Sequence, residues 1–145
     1  METRSELGAF GDGSDRQPLV LLAEDDESNI LVAQGALALF KCKVVTVRDG
    51  AAAVKAAGEH HFDLVLMDCH MPVMNGLQAT QQIREHDARH HRPRVPIVGL
   101  TGSAMYSERQ ACLAAGMDFV MTKPFHFKQL REVLERWASL DSMPE

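Results

Sequence analysis

The sequence predicts a three-layer α/β/α sandwich around a five-stranded parallel sheet. Short apolar runs rich in leucine and β-branched residues alternate five times with stretches whose apolar residues recur three and four positions apart. The chain has 145 residues, enough for one domain with its own core and far fewer than the ~250 residues of a closed eight-fold barrel. An open sheet with helices on both faces is therefore the expected fold.

The apolar runs predict five strands, at residues 18–23, 43–47, 62–67, 95–100 and 118–122. We expect a flavodoxin-like sheet with the strand order 2-1-3-4-5, which is usual for a chain of this size. Thr46 is polar and lysines flank the second run, so this strand is suited to an edge of the sheet.

The stretches between the runs predict five helices. Apolar faces recur at helical spacing in the first and the last helix, at Ile30, Ala33, Leu37 and Phe40 and at Phe127, Leu130, Leu134 and Trp137. The expected N-caps are Asp26, Asp49 and Ser103, and the expected helix ends are Gly58 and Gly116.

The chain is expected to form one domain, at residues 18–140. Residues 1–17 are rich in glycine, serine and charge and predict a disordered leader, while residues 141–145 form a short tail. Only DSMPE follows the last predicted helix, so we expect no output domain in this chain.

Composition argues against several classes of protein. A net charge of −5 does not indicate a nucleic-acid partner, whose binders concentrate lysine and arginine. No segment approaches the ~20 apolar residues of a membrane span, and the N-terminus lacks the apolar run of a signal peptide. The 3 cysteines are widely spaced and form no CxxC pair, which favours a reducing compartment and a cytoplasmic location.

Polar side chains follow the central predicted strands. Glu24, Asp25 and Asp26 follow the first strand and Asp68 the third, while Thr101 ends the fourth and Lys123 the fifth. Because ligand sites in open parallel sheets lie outside the carboxyl ends of the strands, we expect these groups to converge.

Gathered carboxylates repel one another, by roughly 4 kcal/mol per pair at ~4 Å and an effective dielectric near 20. Oxygen ligands without clustered thiols or imidazoles suit Mg²⁺, which accepts one or two carboxylates together with a substrate phosphate. Lys123 adds a fixed positive charge, Thr101 a hydroxyl donor and Gly102 open space. This set fits a phosphoryl group, with a carboxylate of the cluster as the nucleophile.

The motifs EDD, MDCHMPVMNG, LTGSA and TKPF, in this order and at this spacing, closely resemble those of the receiver domain of two-component response regulators, the CheY-like superfamily. The resemblance covers residues 18 to about 140. It implies that Asp68 is the phosphoacceptor and that its donor is a phosphohistidine on a histidine kinase or a histidine phosphotransfer protein. The protein would then be a signalling phosphoacceptor that catalyses only its own phosphorylation and dephosphorylation.

The resemblance also implies roles for the other polar groups. Glu24 and Asp25 would form the acidic pair at Mg²⁺, with Asp68 and the backbone carbonyl of His70 completing the protein ligands. Thr101 would be the switch hydroxyl and Lys123 the partner of a phosphoryl oxygen, with a cis peptide bond between Lys123 and Pro124. Phosphorylation would change the surface of helix 4, strand 5 and helix 5 for a downstream protein.

One position departs from the family pattern. Family members often carry Tyr or Phe three residues before the lysine, whereas this sequence has Val120 there and Phe119 on the opposite face of the strand. The sequence leaves open whether the aromatic half of the switch operates, and it leaves open the oligomeric state, the pathway and the choice between a stand-alone regulator and part of a hybrid histidine kinase.

Other functions fit the residues less well. A haloacid dehalogenase-type phosphatase needs a second carboxylate two residues after its nucleophile, where this chain has His70. A flavin site needs a phosphate-cradling loop after the first strand, where EDDES would repel phosphate. A receiver-like interaction domain without phosphorylation is disfavoured because Asp25, Asp68, Thr101 and Lys123 are all present.

Two further features favour structural roles. Cys69, with no basic neighbour in sequence, is expected to be a small buried hydrophobic residue. The stretch HDARHHRPR is interpreted as a solvated loop between the third helix and the fourth strand, at the opposite end of the sheet from Asp68.

Overall fold

Five parallel strands alternate with five helices in the computed structural model, which describes residues 17–138. The strands are β1 (Leu19–Ala23), β2 (Lys43–Val47), β3 (Leu64–Asp68), β4 (Ile97–Thr101) and β5 (Phe119–Thr122). The helices are α1 (Glu27–Leu39), α2 (Gly50–Glu59), α3 (Gly76–Arg89), α4 (Tyr106–Ala115) and α5 (Phe127–Trp137). The leader and tail predicted from sequence lie outside the described residues, apart from residue 17.

The sheet has the order β2-β1-β3-β4-β5, so the predicted fold and strand order are confirmed. All four pairings are parallel, and the register places Ala23 beside Met67, Asp68 beside Leu100 and Thr101 beside Thr122. The strands therefore end together along one edge of the sheet. β2 lies at the margin of the sheet, as its polar content predicts.

Two apolar clusters cover the two faces of the sheet. Alternate residues of the strands pack with α1 and α5 on one face and with α2, α3 and α4 on the other. β1 shows the alternation, because Val20 and Leu22 belong to the first cluster and Leu21 and Ala23 to the second. Burial on both faces explains why the central strands read as continuous apolar runs.

Most predicted helix boundaries are confirmed. The side chains of Asp26 and Asp49 accept hydrogen bonds from the backbone N–H groups of Asn29 and Ala52, as N-caps do. Gly116 ends α4 at φ 117°, a left-handed conformation in which a Cβ would be strained.

The predicted end of α2 at Gly58 is wrong by one residue, because the helix continues to Glu59. Arg92 supplies the physical reason. Its guanidinium donates hydrogen bonds of 3.0 Å to the carbonyls of Ala57 and Gly58, so the last carbonyls of the helix have partners without a glycine cap.

Ser103 is not the N-cap of α4, contrary to the sequence prediction. The helix begins at Tyr106, and its N-cap Met105 makes no side-chain capping hydrogen bond. Ser103 instead belongs to the turn before the helix, where its hydroxyl accepts a hydrogen bond of 3.1 Å from the Met105 N–H. The start of α4 therefore lacks a side-chain cap.

The apolar faces predicted for the first and last helices are largely confirmed. Ile30, Ala33 and Leu37 are buried on α1, and Leu130 and Leu134 are buried on α5. Phe127 is half exposed, and its ring stacks on the ring of Phe40 with centroids 4.4 Å apart. Its position in the first turn of α5 leaves one side of the ring to solvent.

The stretch HDARHHRPR is only partly a loop. α3 runs to Arg89, so His86 is helical, and its ring stacks on that of His90, with centroids 4.2 Å apart. Nearby, Arg84 and Arg94 both bind the carboxylate of Asp118, at 2.8 and 2.9 Å. These contacts hold the edge of the sheet where the strands begin, away from Asp68.

Within residues 17–138, no helix has both the length and the apolar character needed to cross a bilayer.

Gly76 allows the N-terminus of α3 to pack directly against the end of β3. A Cβ built at this position would lie 2.1 Å from the backbone oxygen of Asp68, closer than any van der Waals contact. In contrast, a Cβ at Gly35 in α1 would meet no atom within 4 Å.

These contacts predict opposite effects for two glycine-to-alanine substitutions. We expect Gly76→Ala to lower the free energy of unfolding by about 2 kcal/mol or more, because the backbone at Asp68 must move. We expect Gly35→Ala to raise it by up to ~1 kcal/mol, because alanine favours a helix. Urea unfolding of both variants measures the two values, and equal effects would contradict the close contact at Gly76.

Candidate functional site

The carboxyl ends of four strands bring the predicted polar groups together. Glu24 follows β1, Asp68 and Thr101 are the last residues of β3 and β4, and Lys123 follows β5. The backbone N–H of Glu24 donates to the Val47 carbonyl at 3.0 Å, and that of Lys123 donates to the Thr101 carbonyl at 2.7 Å. These hydrogen bonds extend the sheet by one residue and fix where each side chain begins.

Three carboxylates form a cluster at this edge. Glu24, Asp25 and Asp68 each offer an oxygen, and these oxygens lie within 4.8 Å of one another. Glu24 and Asp68 are buried, while Asp25 is exposed. Such an oxygen-only set, open to solvent on one side, fits a hard divalent cation that keeps some of its waters.

Lys123 is the cation between the two buried carboxylates. Its Nζ lies 3.0 Å from Oε1 of Glu24 and 3.1 Å from Oδ2 of Asp68. Burial lowers the pKa of Lys123, but the hydrogen bond to Glu24 and the charge of Asp68 outweigh this effect, so the pKa lies above its ordinary value. Lys123 therefore carries a proton. The Lys123–Pro124 peptide bond is cis, as the sequence resemblance predicts.

Asp68 is held in an environment that disfavours its charge. Burial and, to a smaller extent, the neighbouring Glu24 raise the pKa of Asp68 to about 6. The hydrogen bond from the His70 N–H and the charge of Lys123 lower this pKa, but they offset only part of the increase. The His70 N–H donates to Oδ1 at 3.1 Å, so each carboxylate oxygen has its own partner. A divalent cation in the cluster would favour the ionised, nucleophilic form.

Thr101 lies at the inner wall of the site. Its side chain is buried, and its hydroxyl oxygen accepts a hydrogen bond of 3.2 Å from the Ser103 N–H. A Cβ built at Gly102 would meet no atom within 4 Å, which is consistent with the open space expected beside Thr101. The role predicted for the Thr101 hydroxyl stays a prediction.

A contact between His70 and Glu108, which the sequence did not predict, lies at the opening of the site. Nε2 of His70, beyond β3, lies 2.6 Å from Oε2 of Glu108 in the first turn of α4. Glu108 lies outside all the recognised motifs, so the sequence carried no signal for it. The role predicted for the backbone carbonyl of His70 as a metal ligand stays a prediction.

The second missed contact joins two thiols. Cys69 is buried, as the sequence predicts, and its Sγ lies 3.1 Å from the Sγ of Cys112 in α4. Burial strongly raises the pKa of the Cys69 thiol, and the contact with Cys112 raises it further. Cys42 is also buried, and burial raises the pKa of its thiol to about 11. Cys42 and Cys69 are therefore poor nucleophiles.

Val120 occupies the position where the recognised pattern often has an aromatic residue. It is buried with the cluster on the α2, α3 and α4 face, whereas Phe119 packs on the opposite face. The predicted separation of the two side chains is confirmed. The carbonyl of Val120 accepts a hydrogen bond of 3.0 Å from the guanidinium of Arg109 in α4.

The arrangement of Lys123 predicts a stability effect. Replacing it in Lys123→Met leaves two buried carboxylates without their shared cation, and we expect the free energy of unfolding to fall by about 2 to 4 kcal/mol. Denaturant unfolding in metal-free buffer measures the loss. The control is Lys128→Met, because Lys128 is exposed on α5 and should change stability by less than about 0.5 kcal/mol. Equal stability of the two variants would contradict the proposed charge balance.

Comparisons with known proteins agree with this geometry. The family model described as the response regulator receiver domain matches residues 20–135. The sensor protein GacS of Pseudomonas syringae pv. syringae is 43% identical over 127 residues, which cover 88% of this chain and 14% of GacS. Hybrid signal transduction histidine kinase G of Dictyostelium discoideum is 39% identical over 123 residues, 83% of this chain and 4% of that kinase. The chain thus spans a small part of each relative.

Two solved structures share the fold. One is the receiver domain of sensor histidine kinase PA1611 from Pseudomonas aeruginosa PAO1, which was crystallised with a magnesium ion coordinated in its active site cleft. It superposes with a TM-score of 0.77 at 38% identity, and the match covers 86% of this chain and 99% of that one. The Saccharomyces cerevisiae co-crystal of the histidine phosphotransfer protein Ypd1 with the receiver domain of Ssk1 gives a TM-score of 0.81 at 25% identity, covering 88% of this chain and 92% of the matched chain.

Proposed function

The chain belongs to the response regulator receiver domain family, and on that premise we propose that Asp68 accepts a phosphoryl group from a phosphohistidine in a Mg²⁺-dependent reaction. The observation that supports this proposal most directly is the position of Asp68, whose two oxygens are held separately by Lys123 and by the His70 N–H beside two further carboxylates. The donor would be a histidine kinase or a histidine phosphotransfer protein.

Each side chain of the site would have its own part in the phosphoryl transfer. An oxygen of Asp68 attacks phosphorus as the phosphorus–nitrogen bond to the donor histidine breaks, which gives an acyl phosphate and a free imidazole. Lys123 and the hydroxyl of Thr101 would bind phosphoryl oxygens. The proposal is supported by the 3.1 Å distance from Lys123 Nζ to Asp68 Oδ2 and by the position of Thr101 at the end of the strand next to β3.

Glu24, Asp25 and Asp68, with the backbone carbonyl of His70, would hold Mg²⁺. The ion would supply positive charge beside the phosphoryl oxygens. Glu24 also binds Lys123 and the Asp26 N–H, at 3.0 and 3.1 Å, so its carboxylate is oriented before a cation arrives. We also propose a cytoplasmic location, because the 3 cysteines are widely spaced and form neither a CxxC pair nor a complete disulfide framework.

The proposed chemistry predicts a metal-dependent covalent adduct. Incubation with Mg²⁺ and acetyl phosphate should add one phosphoryl group by intact mass, and Asp68→Asn should abolish the adduct because an amide is not a nucleophile here. Removal of the metal with a chelator should abolish it as well. Glu59→Gln, at the exposed end of α2, is the control and should be phosphorylated like the wild type. An adduct on the Asp68→Asn variant would overturn the assignment.

The solvent side of α1, which begins one residue after Asp26, is where we propose that the donor binds. Leu31, Val32 and Leu39 are 59%, 63% and 71% exposed, and the helix is apolar on its solvent side as well as on its buried side. A surface helix with two apolar faces indicates a binding partner. The donor histidine must reach Asp68, so we place the donor protein against this face of α1.

Substitution on α1 should separate docking from chemistry. We expect Leu31→Glu to slow phosphotransfer from a phosphohistidine protein about tenfold or more, because the apolar contact that Leu31 makes with the bound donor is lost. Phosphorylation by acetyl phosphate, which needs no docking surface, should stay at the wild-type rate. Leu113→Glu on α4 is the control, with a 37% exposed leucine away from α1. Equal loss with both donors would contradict a docking role.

A further inference from the structure

Two buried thiols meet beside the end of β3. Sγ of Cys69, the residue after Asp68, lies 3.1 Å from Sγ of Cys112 in α4, and the two residues are 1% and 0% exposed. The phosphoryl transfer uses neither thiol. Because a disulfide bond is ~2.05 Å long, the two sulfur atoms would have to approach by only about 1 Å to form one. The pair is therefore placed for oxidation to a disulfide.

The packing around Cys69 can adjust to this movement. Gly99, in the neighbouring strand β4, has no side chain, and a Cβ built there would lie 3.5 Å from Sγ of Cys69 and would overlap Sδ of Met117. The thioether of methionine is flexible and polarisable, so it fills gaps and follows small shifts of its neighbours. A shift of about 1 Å is compatible with such surroundings.

The third cysteine lies apart from this pair. Cys42 belongs to the apolar cluster on the α1 and α5 face of the sheet, whereas Cys69 and Cys112 belong to the cluster on the opposite face. The sheet separates Cys42 from the other two thiols. One intramolecular disulfide, between Cys69 and Cys112, is therefore the expected product of oxidation.

We propose that Cys69 and Cys112 form a redox-modification site, in which a small peroxide oxidises the two thiols to a disulfide and thereby slows phosphorylation of Asp68. The disulfide itself is independent of the proposed function, and only its effect on phosphorylation rests on that function. The thiols are buried, so the oxidant must be small and uncharged, as hydrogen peroxide is. Disulfides of this kind in a reducing compartment are transient and regulatory.

One molecule of hydrogen peroxide balances the reaction. The sulfur of one cysteine attacks a peroxide oxygen as the O–O bond breaks, which gives a sulfenic acid and one water. The other thiol then attacks that sulfur, so the S–S bond forms and the sulfenic oxygen leaves as a second water. Burial raises the pKa of the Cys69 thiol and slows reactions in which Cys69 attacks, whereas the second step gains from the proximity of the two sulfur atoms.

Disulfide formation would disturb the group that orients Asp68. The N–H that donates to Oδ1 of Asp68 at 3.1 Å belongs to the peptide bond between Cys69 and His70. Movement of Cys69 toward α4 shifts this peptide bond together with the adjacent carbonyl of His70, the predicted ligand of Mg²⁺. The carboxylate is then less well oriented for attack on phosphorus, and phosphorylation slows.

Counting free thiols after oxidation tests the modification site. The folded chain is treated with excess hydrogen peroxide in buffer that contains a chelator, catalase removes the peroxide, and N-ethylmaleimide is added under denaturing conditions. By intact mass, the untreated chain should take up three maleimide groups and the oxidised chain one, on Cys42. Peptide mapping should join Cys69 to Cys112, and dithiothreitol should restore all three thiols.

Two variants are the controls for this measurement. Cys42→Ala removes the thiol on the other face of the sheet and should form the same disulfide, with no thiol left for the maleimide. Cys112→Ala should form no disulfide. A disulfide that includes Cys42, or a peroxide-treated wild type in which Cys69 and Cys112 stay unlinked, would overturn the proposal.

The rate of phosphorylation tests the effect on Asp68. With Mg²⁺ and acetyl phosphate, the oxidised wild type should form the adduct about threefold or more slowly than the reduced wild type, and dithiothreitol should restore the rate. Peroxide-treated Cys112→Ala should keep the rate of its untreated form. This variant separates the effect of the disulfide from that of oxidised methionines.

The outcomes distinguish this inference from the proposed function. A reduced wild type that forms no adduct overturns the proposed function, while a mapped disulfide between Cys69 and Cys112 still supports the modification site. Equal rates for the reduced and the disulfide-linked chain overturn the effect on phosphorylation. A chain that is phosphorylated but forms no disulfide overturns the modification site and leaves the proposed function in place.

Discussion

The ion pairs of Lys123 with Glu24 and Asp68 are the interaction on which the site depends. Two buried carboxylates, at 1% and 3% exposure, share one ammonium group across β1, β3 and the end of β5. Without this cation the cluster would favour protonation, and burial already raises the pKa of Asp68 to about 6. The sheet brings the charges together, and the single ammonium group balances only part of the negative charge of the three carboxylates, which suits a further cation.

The same edge explains why a parallel sheet suits this chemistry. Strands in register end at one level, so residues far apart in sequence meet without long loops. The close packing of Gly76 against the Asp68 carbonyl fixes the loop after β3 from the other side. Asp68 is thus held between packed elements, while the start of α4 lacks a side-chain cap.

Much of the fold and of the candidate site could be predicted from sequence, because hydrophobic periodicity and the polar residues at strand ends are local signals. Apolar runs indicate the strands, and the rule for the carboxyl ends of strands predicts that Glu24, Asp68 and Lys123 converge. Two of the contacts that the sequence did not predict involve partners distant in the chain. Arg92 replaced a glycine cap at α2, and Glu108 met His70 across 38 positions, a contact that depends on how α4 packs and not on any motif.

The burial of every thiol has a practical consequence for spectroscopy. The three cysteines are packed in the interior, and burial raises the pKa of Cys42 and Cys69, so few thiolates form at neutral pH. Maleimide dyes and nitroxide labels react with thiolates at the surface. A cysteine introduced at an exposed helical position would therefore be labelled selectively in the native chain, with its own cysteines left in place.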